Sequence, residues 1–225
     1  MPTVHDPVSP FQLLVTPERA ALAEGQATLL RVLVRVQAPG APPEALPGAR
    51  LRDPLHLALV LDRSGSMAGA PLDEAKRCAA HIVGQMRPDD RVALVVFDDQ
   101  VECLAALSDV GSKLAISAAI RSVESGGSTD LHGGWRAGAD ELAAKLVADG
   151  VHRVILLSDG CANQGETDLE TITGQCRDLY RRGVSTSTYG LGRGFNEDLM
   201  LAMAKAGRGN LISAGQRHGR AQGPA

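Results

Sequence analysis

Aromatic side chains are scarce here: three Phe, two Tyr and one Trp make up 3% of the 225 residues. So few rings leave little to stack on bases or sugars, and a formal net charge of −3 gives no basic footprint. Both absences argue against nucleic acid as a partner. No apolar run approaches the roughly 20 residues that cross a bilayer. The start, MPTVHDPVSP, has neither the basic residues nor the apolar stretch of a secretory signal. A soluble cytoplasmic protein without membrane insertion is the expectation. The four cysteines, Cys78, Cys103, Cys161 and Cys176, form no CxxC pair. That spacing points to reduced thiols acting as small buried hydrophobes, not to a disulfide frame or a zinc site.

What is present is a hydrophobic content of 44%, enough for one α/β domain and a modest extra segment. Residues 1–50 read as an N-terminal β-strand extension. Ala27 to Gln37 places Leu30, Val32, Val34 and Val36 on one face and Arg31, Arg35 and Gln37 on the other, the period of a half-buried strand. Phe11 to Thr16 reads as a shorter partner strand. The Pro/Gly-rich APGAPPEALPGARLRDP then marks a linker, with a boundary near Arg50.

Over residues 51–214, short apolar runs alternate with amphipathic segments, which predicts a doubly wound, mostly parallel sheet flanked by helices. LHLALVL, RVALVVF, Val101 to Leu107, RVILLS, STSTYGL and NLIS are the predicted strands, the second and third forming a hairpin at Asp98, Asp99 and Gln100. Predicted helices run from Pro71 to Met86, from a Ser112 cap to about Val123, and from near Leu131 to an end before Gly150. Two more run from Thr167 or Asp168 to Arg182 and from an Asn196 cap to Ala206. The tail, residues 215–225, offers no core and is expected to be disordered.

Three predicted strand-end or loop segments carry oxygen-bearing side chains. LVLDRSGSMAG leaves its strand with Asp62, Ser64 and Ser66 at every second position, so the three share one side. SGGSTDLHGG holds Ser128, Thr129 and Asp130 before a helix, and LLSDG leaves its strand with Ser158 and Asp159. In an open parallel sheet, ligands gather beyond the carboxyl ends of the strands, near the reversal of strand order. Two carboxylates with neutral hydroxyls make an all-oxygen set suited to a hard divalent cation, Mg2+ or Mn2+.

DRSGSM, GGSTDL and LLSDG, in that order, resemble the von Willebrand factor type A domain with its metal-ion-dependent adhesion site. The resemblance covers roughly Leu55 to Ala214. It extends to bacterial members through RVALVVFDD, STSTYGLG and FNEDLMLAMAKAGRGN. It implies a Rossmann-like fold with an N-terminal β-ribbon extension, and Asp62, Ser64, Ser66, Thr129 and Asp159 as metal ligands. In relatives, the serines and the threonine touch the metal directly and the two aspartates sit partly behind water. There are departures. Met67, Ala68 and Gly69 lack the carboxylates that integrin β subunits place there for a second metal. Relatives resembling inter-alpha-trypsin inhibitor heavy chains have β-rich segments on both sides of the domain, whereas the strands before Ala38 have no evident C-terminal partner. Exposed strand edges of this kind favour self-association.

Simpler roles suit the neighbouring residues. Asp130 is expected to cap the following helix, Asp98 and Asp99 to form a turn, and His132 to be structural or solvent-facing. Trp135 is expected to pack on the sheet, Arg63 to meet a nearby acidic side chain, and Lys76 and Arg77 to lie on a solvated helix face. The function implied is a non-enzymatic, metal-dependent protein-interaction module in which a partner's Asp or Glu carboxylate completes the coordination. The alternative is a phosphate-handling hydrolase with Asp62 as nucleophile or the metal as Lewis acid. Against it stand the absence of a DxD at Asp62, of a G-x-S-x-G elbow and of a Walker lysine in the glycine-rich loop.

Overall fold

The computed structural model describes residues 12–17, 31–37, 52–109, 113–192 and 194–213, and the chain divides into two compact units, residues 1–51 and 52–225. In the first unit, β1 (Gln12–Pro17) and β2 (Val32–Gln37) pair antiparallel, with Leu13 opposite Val36 and Val15 opposite Val34. Alternation puts these valines and Leu13 on one face, yet every residue of both strands is exposed. The predicted half-buried strand is therefore one strand of an exposed ribbon. Phe11, residues 27–30, Ser112, most of the linker and the tail lie outside the described residues.

The second unit begins with LHLALVLD, apolar on both faces, which folds as β3 (Leu55–Asp62) at the centre of a sheet. The other strands are β4 (Arg91–Phe97), β5 (Val101–Asp109), β6 (Val151–Ser158), β7 (Val184–Gly190) and β8 (Arg208–Ser213). Their order is β5-β4-β3-β6-β7-β8, six strands that are parallel except for the β4–β5 hairpin. The helices are α1 (Ala70–Gln85), α2 (Lys113–Ser122), α3 (Leu131–Ala143), α4 (Leu169–Arg181) and α5 (Glu197–Ala206). Strand alternation sorts them to the two faces. Ala58 and Val60 of β3 pack with Trp135 of α3, Ile172 of α4 and Met203 of α5. Leu57, Leu59 and Leu61 pack with α1 and α2 through Ala79, Val83 and Ile120.

Caps stop and start these helices as their residue types predict. Asp130, Asp168 and Asn196 accept hydrogen bonds from the amides of Gly133, Thr171 and Leu199. α3 starts at Leu131 and ends at Ala143, before Gly150. Beyond it the Lys145 ammonium donates to the Leu107 carbonyl at 2.9 Å and the Val147 amide to His152 Nε2 at 3.3 Å, before the chain enters β6. Trp135 is fully buried against the sheet, and its indole N–H donates to Thr186 Oγ1 at 3.1 Å. The cysteines are all free, but only Cys176 is a buried hydrophobe. Cys78 is half-buried, while Cys103, on edge strand β5, and Cys161, in the loop after β6, are exposed. Among the described residues, no helix is long and apolar enough to cross a membrane.

Candidate metal centre

From β3 the chain crosses to β4 on one side, and β6 adds to β3 on the other, so strand order reverses between β3 and β6. Asp62 is the last residue of β3, and Asp159 follows the last residue of β6. Thr129 comes from the loop between α2 and α3.

Backbone hydrogen bonds tie that loop to the β3 end. The Gly65 amide donates to Gly127 O at 2.9 Å, the Gly126 amide to Arg63 O at 2.7 Å, and the Asp130 amide to Asp98 O at 2.7 Å. A Cβ at Gly126 would run into the buried Asp98 carboxylate, which Arg63 and the Gln100 amide hold in place, and one at Gly127 would displace the exposed Asp99 carboxylate. Asp98 itself makes the expected turn, accepting from the Gln100 amide at 2.9 Å. Arg63 meets acidic side chains as expected, Asp98 at 3.2 Å and Glu102 at 3.4 Å.

Asp62 is fully buried, and Ser64, Thr129 and Asp159 are nearly so, while Ser66 is exposed. The Ser64 and Ser66 hydroxyl oxygens lie 3.2 Å apart. Asp62 Oδ1 accepts from the Ser64 amide at 2.8 Å, and its Oδ2 accepts from the Ser158 hydroxyl at 2.6 Å. Burial pushes the Asp62 carboxyl up to about 6 despite the opposing Ser158 and Ser64 hydrogen bonds, with the Asp159 carboxylate adding to the rise. No Lys, Arg or His among the described residues pairs with the buried Asp62 carboxylate, and the Asp159 carboxylate is close enough to raise it. Among the described residues no three His, Cys, Asp or Glu side chains form a metal-holding group, so hydroxyls would have to share the ion with the two carboxylates. The donor set of Asp62, Asp159 and the hydroxyls of Ser64, Ser66 and Thr129 fits a hard divalent ion.

Two residues support this cluster without standing out in the sequence. Ser158 donates to Asp62 and accepts from the Gly160 amide at 2.8 Å, so it locks the Asp62 carboxylate to the end of β6. Asn163 accepts from the Thr129 amide at 2.8 Å, and its own amide donates to Thr129 O at 3.2 Å, fixing the loop that carries Thr129. The serine in LLSDG offered a weak signal; Asn163 offered none. Asp159 is held by the Cys161 amide on Oδ1 at 3.0 Å, and the Asp159 carbonyl accepts from the Asn196 amide at 2.8 Å. Asp130 is a helix cap, and His132, half-buried, bonds Gln175 Oε1 at 2.9 Å.

Residues 56–216 match the family model of the von Willebrand factor type A domain. The chain is 34% identical over 160 residues to the uncharacterized protein sll0103 of Synechocystis sp., which covers 71% of this chain and 37% of that protein. It therefore spans little more than a third of that relative's length. In fold it is similar to von Willebrand factor type A from Catenulispora acidiphila, with a TM-score of 0.61 and 16% identity over 91% of this chain and 45% of that one. It is also similar to proximal thread matrix protein 1 from the mussel byssus with a zinc-occupied metal-ion-dependent adhesion site. That TM-score is 0.60, with 18% identity over 72% of this chain and 44% of that one. At such identities the two structures show a shared fold.

Proposed function

Because the chain belongs to the von Willebrand factor type A family, we propose that Asp62, Ser64, Ser66, Thr129 and Asp159 hold one divalent cation that docks a partner protein through its Asp or Glu carboxylate. The observation that carries this reading is Asp62: fully buried, hydrogen-bonded only by neutral groups, and next in space to a second carboxylate. The zinc named in the mussel byssus protein supports a metal at the corresponding site. Mg2+ or Mn2+ suits this donor set, since oxygen-only coordination favours hard ions. When bound, the ion supplies electrostatic attraction for a carboxylate from outside.

The chain's own residues do the rest. Ser158 and the Ser64 amide orient Asp62, so the carboxylate is aimed before any ion arrives. Asn163 and the Gly126–Gly127 contacts set the height of Thr129 over the sheet. Ser66 is the exposed member, on the side open to a partner. This is a binding role, not a catalytic one. As a phosphoryl-accepting nucleophile, Asp62 would have to leave two hydrogen bonds and full burial, which argues against the hydrolase reading.

The test is recovery of partner proteins on immobilised chain, with wild type and Asp62→Ala compared in magnesium and in chelator. Recovery confined to wild type with magnesium supports the proposal. Equal recovery in all four conditions rejects it.

A further inference from the structure

A second surface lies away from the metal centre. Helices α4 and α5 pack side by side on one face of the sheet, and between them runs a groove of about 560 Å³. Four cations line it, Arg177 and Arg181 from α4, Lys205 from α5 and Arg208 from the start of β8, against a single acid, Glu170. Arg181 pairs with Asp178 at 2.8 Å, but Arg177, Lys205 and Arg208 pair with no carboxylate among the described residues. This is a concentrated positive strip on a chain whose net charge is −3. Its remaining lining is largely apolar: Leu169 and Tyr180 are 44% and 45% exposed, with Ala202 and Ala206 beside them.

Cations in the last turns of helices are favoured by the helix dipole, which accounts for Arg181 and Lys205 taken singly. It does not account for four cations from three elements converging on one apolar-lined groove. We propose that this groove seats an acidic amphipathic helix of a partner protein, with carboxylates over Arg177, Lys205 and Arg208 and apolar side chains over Leu169, Tyr180 and Ala202. Charge complementarity selects acidic residues. A helix is selected over an extended segment because nine-tenths of the lining comes from two helices whose backbone groups are bonded within themselves. Of edge strand β8 only Arg208 lines the groove, too little strand edge for an extended peptide to pair along, whereas a helix satisfies its own backbone. From Leu169 to Arg181 the groove wall extends roughly 18 Å at 1.5 Å per residue, the length of about three helical turns.

The cationic end faces away from the metal centre. Asp62 and Asp159 lie at the carboxyl ends of β3 and β6, while α4 and α5 run back and finish where β7 and β8 begin. Binding here is therefore independent of the ion, and the two surfaces can be engaged separately.

The experiment is fluorescence anisotropy of a labelled peptide of three Glu-Leu-Ala-Glu repeats, titrated with the full chain in EDTA. Saturable binding is expected, unchanged in Asp62→Ala and weakened roughly tenfold or more by the Arg177→Glu/Lys205→Glu double variant. Both positions are exposed, and far-UV circular dichroism checks that the fold survives. Three results would overturn the proposal: no saturable binding in EDTA, equal binding of the peptide with Lys in place of Glu, or undiminished binding by the double variant. None of these bears on the metal-dependent reading, which fails or holds in the magnesium comparison.

Discussion

Stripping the chain of divalent ions should make Asp62 a destabilising residue, and its neutral replacement a stabilising one. Burial raises the Asp62 carboxyl from 3.8 to about 6. Between those values the folded chain holds a proton that the unfolded chain has released, so stability falls as the pH rises through that window. Above it the full effect remains, about 3 kcal/mol against the folded anion. Asp62→Asn removes the charge at nearly constant shape. With the amide nitrogen in place of Oδ2, however, the Ser158 hydroxyl loses its acceptor, which costs about 1 kcal/mol. In EDTA at pH 7.5 the variant should therefore be about 2 kcal/mol more stable than wild type, and near pH 4 slightly less stable.

Trp135, the only tryptophan and fully buried, reports urea unfolding of the second unit. Other distant groups that titrate in this range are common to both proteins, so the difference between the two curves reports Asp62 together with its coupling to the Asp159 carboxylate. Saturating magnesium should reverse the order. At about a hundredfold over the dissociation constant it adds about 2.7 kcal/mol to wild type and little to the variant. A difference between the proteins that stays constant from pH 4 to 7.5 in EDTA, or equal stabilisation of both by magnesium, would refute the reasoning.

Other outcomes follow from the same structure. Trp135→Phe removes the donor to Thr186 Oγ1 and leaves unfilled volume in the core, so circular dichroism should show a loss of about 2–4 kcal/mol in urea; a loss below about 1 would contradict that packing. His56 and His152 are buried side by side, ring centroids 4.7 Å apart, and the His56 Nδ1 has no hydrogen-bond partner among the described residues. Burial holds both rings below 6.5, with Arg91 adding to the effect on His56 and His56 to that on His152, while Asp90 and Asp109 oppose it at His56. Their contribution is complete above pH 6.5 and is lost as the pH falls below it, so His56→Leu should flatten this acid loss in a melting series; an unchanged slope rejects the assignment. Burial works against the Asp90 anion, but Arg52 and the Leu55 and Arg87 amides more than offset it and hold the carboxyl at about 2. Asp90→Asn should cost about 2–3 kcal/mol at neutral pH in urea unfolding, and the difference from wild type should shrink as the pH falls from 3.8 toward 2.

The sheet was legible because central parallel strands are buried on both faces and read as unbroken apolar runs, LHLALVL and RVALVVF above all. Helix starts were legible where Asp or Asn stands at the cap, as at Asp168 and Asn196. Spacing two along the exit of β3 grouped the oxygens of Asp62, Ser64 and Ser66. Contacts that depend on register between distant strands were not readable. His56 and His152 face each other only because β3 and β6 are neighbours with these two residues in register. The Ser158 bond to Asp62 has the same origin, since both residues end adjacent strands. Exposure was misjudged where it depends on what covers a surface: every residue of β1 and β2 is exposed, and Cys103 sits on an edge strand.

The central claim is that side chains from three separate segments share one divalent ion. Anomalous diffraction from crystals grown in manganese tests it directly. The account predicts a single peak within about 2.6 Å of the Ser64 and Ser66 hydroxyls, close to Thr129, Asp62 and Asp159, and absent from Asp62→Ala crystals. No peak there, or a peak that persists in the variant, would contradict it.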